Sequence, residues 1–134
     1  MEKIVQKFHE QGFRVTRPTQ DILEVLTHFP QSAAEICQAL KRKKKKIDPV
    51  TVYRTLDRCT KVGIVNRIQF KDKILKYELY QENHHHHHLV CDHCGSVEDV
   101  LLNEKYLLKK ISQKTKFKIQ SHALEFFGLC TKCQ

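Results

Sequence analysis

Through the first eighty residues, apolar side chains recur at helical spacing, and each run is bracketed by a start and a stop. Residues 3–10 place Ile4, Val5 and Phe8 on one stripe, and Gly12 ends it. Thr16 offers a capping hydroxyl and Pro18 a first-turn proline ahead of Ile22, Leu23, Val25 and Leu26, with Phe29-Pro30 as the predicted stop. Ser32 and Glu35 have the spacing of a capping box, which predicts a third helix over residues 33–40 with Ala33, Ile36, Cys37 and Leu40 inward. Asp48-Pro49 opens a fourth helix that Gly63 closes, and Val52, Leu56 and Cys59 form its buried stripe. The period then changes to two: residues 64–70 and 74–80 are β-type runs around Lys71-Asp72-Lys73, a hairpin. Helices that end in a hairpin predict a winged helix-turn-helix.

Beyond residue 84 the pattern is one of short strands (86–91 and 96–100), one helix capped by Asn103 and carried by Leu107, Leu108 and Ile111, and a last strand from 117 to about 127. The predicted class is therefore α+β, with a winged-helix DNA-binding domain over residues 1–80, a hinge at 81–83, and a small α/β metal-binding dimerisation domain over 84–134. A second part of only about 50 residues is marginal on its apolar core alone, and a structural metal is a common remedy.

Charge separates the two parts further. Residues 1–80 carry 17 basic against 9 acidic side chains, whereas residues 81–134 carry 7 against 6. The first part has the electrostatics of a polyanion binder. Seven of the nine histidines and four of the six cysteines fall in the second part. No apolar run approaches a membrane span and the first residues carry no signal-peptide pattern, so the expected setting is cytoplasmic, with reduced thiols and no membrane partner.

Cys91/Cys94 and Cys130/Cys133 are two CxxC pairs separated by 35 residues. Each pair can present two sulfurs from a tight turn, and four thiolates complete a tetrahedron around Zn(II). Such a set leaves no open coordination position, so the ion is expected to be structural and the protein not an enzyme, with no catalytic residue and no small-molecule substrate. Disulfides or redox motifs are the competing reading, but a thioredoxin-type CxxC needs a βαβ setting that neither pair has. Cys37 and Cys59 lie on apolar helical faces and are expected to be core thiols.

The run of five histidines at residues 84–88 continues directly into Leu89-Val90-Cys91. In a strand, His84, His86 and His88 share one face while His85 and His87 share the other, so one strand can serve two metal sites. A solvated histidine tract is the bland alternative. Acidic side chains at Glu78, Glu82, Asp99 and Glu104 favour the metal reading.

In order, these features resemble the ferric uptake regulator (Fur) family of metal-responsive repressors over nearly the whole chain. The resemblance is carried by residues 12–18 (GFRVTRP), 51–56 (TVYRTL), 84–95 (HHHHHLVCDHCG), Ser121-His122 and residues 128–133 (GLCTKC). It implies the four cysteines as a structural zinc site and a regulatory site built from Glu78, His86, His88 and Asp99. It also implies a second, peripheral site from His85, His87 and His122, where Glu104 lies close to the position of a helix glutamate. The family generally places a histidine after the second helix. Here that loop is Phe29-Pro30-Gln31, and His28 is the nearest candidate. Imidazole and carboxylate without thiolate suit Fe(II), Mn(II) or Zn(II); iron leads as the regulatory ion, with zinc or manganese as alternatives.

The fourth helix is the expected recognition element, with Thr51, Tyr53 and Arg54 on its exposed N-terminal turns, although Tyr53 could instead belong to the core. Residues 41–46 are six cations without an acid, either a solvated loop or, given their place before that helix, phosphate contacts through Lys43, Lys44 and Lys45. Arg14 and Arg17 are further backbone-contact candidates. One winged module reads a short half-site, so operator binding calls for a homodimer, with an exposed strand edge over residues 117–127 as the pairing surface. The leading expectation is a dimeric, metal-dependent repressor of double-stranded operator DNA. Its alternatives are a zinc, manganese or peroxide sensor of the same kind or, in another class, a histidine-rich metal buffer.

Overall fold

A computed structural model describes residues 1–80, 85–120 and 122–134. The expected hinge at 81–83, His84 and Ser121 lie outside the described residues. The backbone divides into two compact units, Met1–Gln81 and Glu82–Gln134.

The first unit is the winged helix-turn-helix that its caps announce. Helix α1 (Glu2–Glu10) precedes α2 (Arg17–Val25), whose first-turn amide of Thr19 reaches the Thr16 hydroxyl at 3.4 Å. Helix α3 (Ala33–Arg42) opens on a complete capping box, with Glu35 N–H donating to Ser32 Oγ and Ser32 N–H donating to the Glu35 carboxylate at 2.7 Å. Helix α4 (Pro49–Val62) starts on the Asp48 carboxylate, which accepts from the Thr51 amide and hydroxyl, and ends on Gly63 at φ +78. One core joins these helices: Phe8, Ile22, Ile36, Leu40, Val52 and Leu56 are essentially inaccessible to solvent.

Two details differ from the sequence expectation. Helix α2 stops at Val25, four residues before Phe29, because Leu26 turns to extended backbone and the Gln31 side chain accepts the Thr27 N–H at 2.9 Å. A two-residue strand β1 (Gln31–Ser32) then pairs with the wing, giving a sheet of order β1-β3-β2 with β2 (Val65–Gln69) and β3 (Leu75–Leu79). A polar dipeptide carries no period-two signal, so only tertiary pairing reveals it.

In the second unit β4 (His87–Cys91) is central, antiparallel to β5 (Val97–Val100) and parallel to β6 (Glu125–Gly128). A parallel neighbour requires a crossover, and α5 (Lys105–Lys114) supplies it. The last strand is shorter than expected: described residues 117–120 and 122–124 are not strand, which corrects the proposed pairing edge over 117–127. Phe117 is instead 76% exposed outside any sheet. No described helix is long and apolar enough to cross a membrane.

Candidate metal centres and nucleic-acid interface

β4 ends at Cys91 and β6 ends two residues before Cys130, and the parallel register sets Cys91 beside Gly128. That pairing is what gathers two distant CxxC turns. The four Sγ atoms lie within 4.8 Å of one another, with Cys94 and Cys130 at 3.7 Å. A tetrahedron with Zn–S of about 2.3 Å needs sulfurs about 3.8 Å apart, so the set fits the ion. The thiols are tuned unequally. Backbone N–H groups of Cys130 and Cys94 bring Cys91 down to about 6, and the Ser96 hydroxyl, 3.1 Å from Cys94 Sγ, lowers Cys94. Cys133, whose S–H donates to the Cys130 sulfur, is pushed up to about 12. Thiolates crowded this closely can all ionise only around a cation.

A second donor set forms where β4, the start of α5 and the approach to β6 meet. One ligand atom each from His85, His87, Glu104 and His122 falls within 4.8 Å of the others. His85 Nε2 is 2.9 Å from His122 Nε2 and 3.3 Å from a Glu104 carboxylate oxygen, while His87 and His122 face the same carboxylate. Asn103 takes the α5 amide of Lys105 at 3.2 Å, and Glu104 contributes no side-chain cap, so its carboxylate is left to the imidazoles. His87 Nε2 and Glu104 Oε1 are buried, face each other and make no hydrogen bond among the described residues. Orphaned polar atoms of opposite character in a histidine cluster fit a metal ion that both would ligate. Burial lowers the His87 pKa below its ordinary value, against the opposing pull of Glu104, and keeps the ring neutral as a ligand must be. The Leu124 carbonyl accepts from the same ring and orients it, a contact to the backbone that no side-chain pattern could have announced.

β4 begins at His87, one residue later than expected, and His86 and His88 point away from that set. The His86 and His88 rings stand edge to face with centroids 5.0 Å apart, and His88 Nε2 lies 3.9 Å from Asp99 Oδ1, its register partner on β5. Glu78, also expected in that set, is buried on β3 of the first unit, where Asn66 Nδ2 donates to it at 3.4 Å.

The family model for the ferric uptake regulator family matches residues 10–127. The chain belongs to the ferric uptake regulator family. It is 33% identical to the ferric uptake regulation protein of Bacillus subtilis strain 168, over 99% of this chain and 93% of that protein. It is 28% identical to the peroxide-responsive repressor PerR of Staphylococcus aureus strain Mu50, over 100% of this chain and 91% of that one. Its fold matches the crystal structure of the Vibrio cholerae ferric uptake regulator with a TM-score of 0.80 at 34% identity, covering 93% of this chain and 98% of that one.

Against that family pattern, His28 sits in the loop after α2 with Nδ1 3.4 Å from the Leu79 carbonyl oxygen, within the first unit. On α4, Tyr53 is 54% exposed, so it is a surface residue and not part of the core. Arg54 is exposed beside it, and the Thr51 hydroxyl donates to Asp48 at 2.7 Å, which fixes its direction. Arg14, Arg17, Lys43 and Lys44 are exposed. Lys45, expected among the phosphate contacts, has its ammonium 2.8 Å from the covered carboxylate of Asp21, a partner 24 positions away that no local motif signals.

Proposed function

We propose that the protein is a metal-dependent, DNA-binding transcriptional repressor that acts as a homodimer when a divalent ion, Fe(II) first, occupies its regulatory histidines. One observation carries this reading: within a chain whose first unit is a basic winged helix, the second unit gathers an imidazole–carboxylate set as well as a thiolate set complete for zinc. A filled thiolate tetrahedron holds structure, whereas nitrogen and oxygen donors bind divalent ions reversibly and so can report on supply. The regulatory ligands are His86, His88, Asp99 and, from the resemblance, Glu78. His85, His87, Glu104 and His122 form the second site. The similarity to a ferric uptake regulation protein favours iron; the 28% identity to a peroxide-responsive repressor keeps a peroxide sensor as the second reading.

Thr51, Tyr53 and Arg54 face base edges from the first turns of α4, with Arg14, Arg17, Lys43 and Lys44 on the phosphates. Exposed Leu101, Leu107, Ile111, Phe126 and Leu129 supply apolar surface for a second copy. A metal switches DNA affinity only if it binds the DNA-competent state more tightly than the other. The experiment is selection from a random duplex pool followed by gel shift of the enriched sequence, after chelation and with Fe(II), Mn(II) or Zn(II) restored. Tighter binding with one ion supports the switch, and equal binding throughout dismisses it. Metal analysis of the protein from its native host identifies the resident ions.

A further inference from the structure

The turn between α3 and α4 is closed by hydrogen bonds of a kind that usually requires glycine. Lys45 N–H donates to the Leu40 carbonyl and Lys44 N–H to the Lys41 carbonyl, both at 2.9 Å, around a left-handed residue. That residue is Lys44, at φ +56. A side chain with a Cβ persists there only where its surroundings over-determine the backbone. The next residue shows what does so. Lys45 Nζ is 2.8 Å from Asp21 Oδ1; the Asp21 side chain is 10% exposed and that of Lys45 26%. Arg17, the other cation near Asp21, lies at 3.7 Å and is 79% exposed, so it is the looser partner. Lys43, Lys44 and Lys46 are exposed and enter no ion pair among the described residues.

We propose that Asp21 is a positioning residue for DNA contact: by clamping Lys45 it locks the left-handed turn at Lys44, withholds one cation from phosphate, and leaves Lys43, Lys44 and Lys46 to meet the backbone. The proposal rests on the reading of the first unit as a DNA binder. Within a run of six like charges, α2 thus decides which cations are available, and how the loop enters the recognition helix.

The test uses the full zinc-loaded chain and two readouts. Amide hydrogen exchange, without DNA, follows Lys44 and Lys45. In Asp21→Asn both amides exchange roughly tenfold faster than in the wild type, and adding Lys44→Gly restores their protection because glycine accepts that φ without strain. Lys45→Gln removes the clamp from the other side and has the same effect on the Lys44 amide. Fluorescence anisotropy with a labelled 30-base-pair duplex of random sequence then gives the salt dependence. Asp21→Asn steepens the slope of log K against log salt by about 0.9, one added phosphate contact, as Lys45 is released. Lys45→Gln alone leaves the wild-type slope, and Asp21→Asn combined with Lys45→Gln returns to it. Unchanged exchange in Asp21→Asn overturns the lock. A slope flattened by Lys45→Gln alone overturns the claim that Lys45 is withheld. Failure of the wild type to bind the duplex at low salt overturns the DNA reading and the phosphate half with it, while exchange still decides the lock.

Discussion

The first unit holds fourteen buried side chains in one apolar cluster, from Phe8 to Tyr77. In the second unit the buried described residues are His87, His88, Cys91 and Glu104, all of them candidate ligands, while Leu101, Leu107 and Phe117 stand exposed. The two halves therefore differ in what excludes water from their centres. One is closed by hydrocarbon, which is non-directional and present at any ligand concentration. The other is closed by donor atoms that repel one another until a cation arrives.

Removing zinc is the most severe way to test that contrast. Structural zinc in small domains supplies about 10–16 kcal/mol of apparent folding free energy, more than a unit without an apolar core can replace. Cys91→Ser or Cys130→Ser is expected to lose the zinc and the fold of the second unit while the first still melts cooperatively. A zinc-free variant with an intact near-ultraviolet circular dichroism spectrum for both units would break the comparison. Leu56→Ala, at a side chain with no exposure, tests the other half. It should cost about 2–5 kcal/mol in denaturant unfolding of the first unit, with the zinc content unchanged.

Smaller effects sharpen the same contrast. Glu104→Gln removes the carboxylate that three imidazoles share and should weaken divalent metal binding at that set by at least about tenfold, read by competition with a chelating dye. The pH dependence has a definite sign. Burial lowers the His87 pKa from 6.5, so the ring stays neutral and ligating below that value, and the ion should be released only as the pH falls further. Release beginning well above pH 6.5 would contradict it. Ser32→Ala should cost only about 1 kcal/mol of first-unit stability, the ordinary worth of a helix cap, with no effect on metal.

Where local chemistry decides the backbone, the sequence was readable. Thr16, Ser32 with Glu35, Asp48 with Pro49 and Gly63 mark helix ends through hydrogen bonds spanning at most a few residues, and the helices begin or end there. The split of the histidines into His85 with His87 and His86 with His88 was readable from a period of two, although the strand itself begins only at His87. Glu104 was legible only as a neighbour, because its role depends on Asn103 taking the helix amide. What escaped was set by distant pairing. β1 exists because β3 lies beside it, the last strand is short because only four residues find β4, and Lys45 is occupied because α2 places Asp21 within reach. A left-handed lysine at 44 carries no sequence mark at all.

The alternation of β4 also limits how this segment can evolve. A one-residue insertion or deletion at positions 87–88 would exchange the faces that the two strand imidazoles occupy, handing each ligand pocket the other's complement. Point substitutions there change one pocket at a time, whereas a frame slip would corrupt both together. Drift in metal preference along this stretch must therefore proceed by exchange of residue type at constant length.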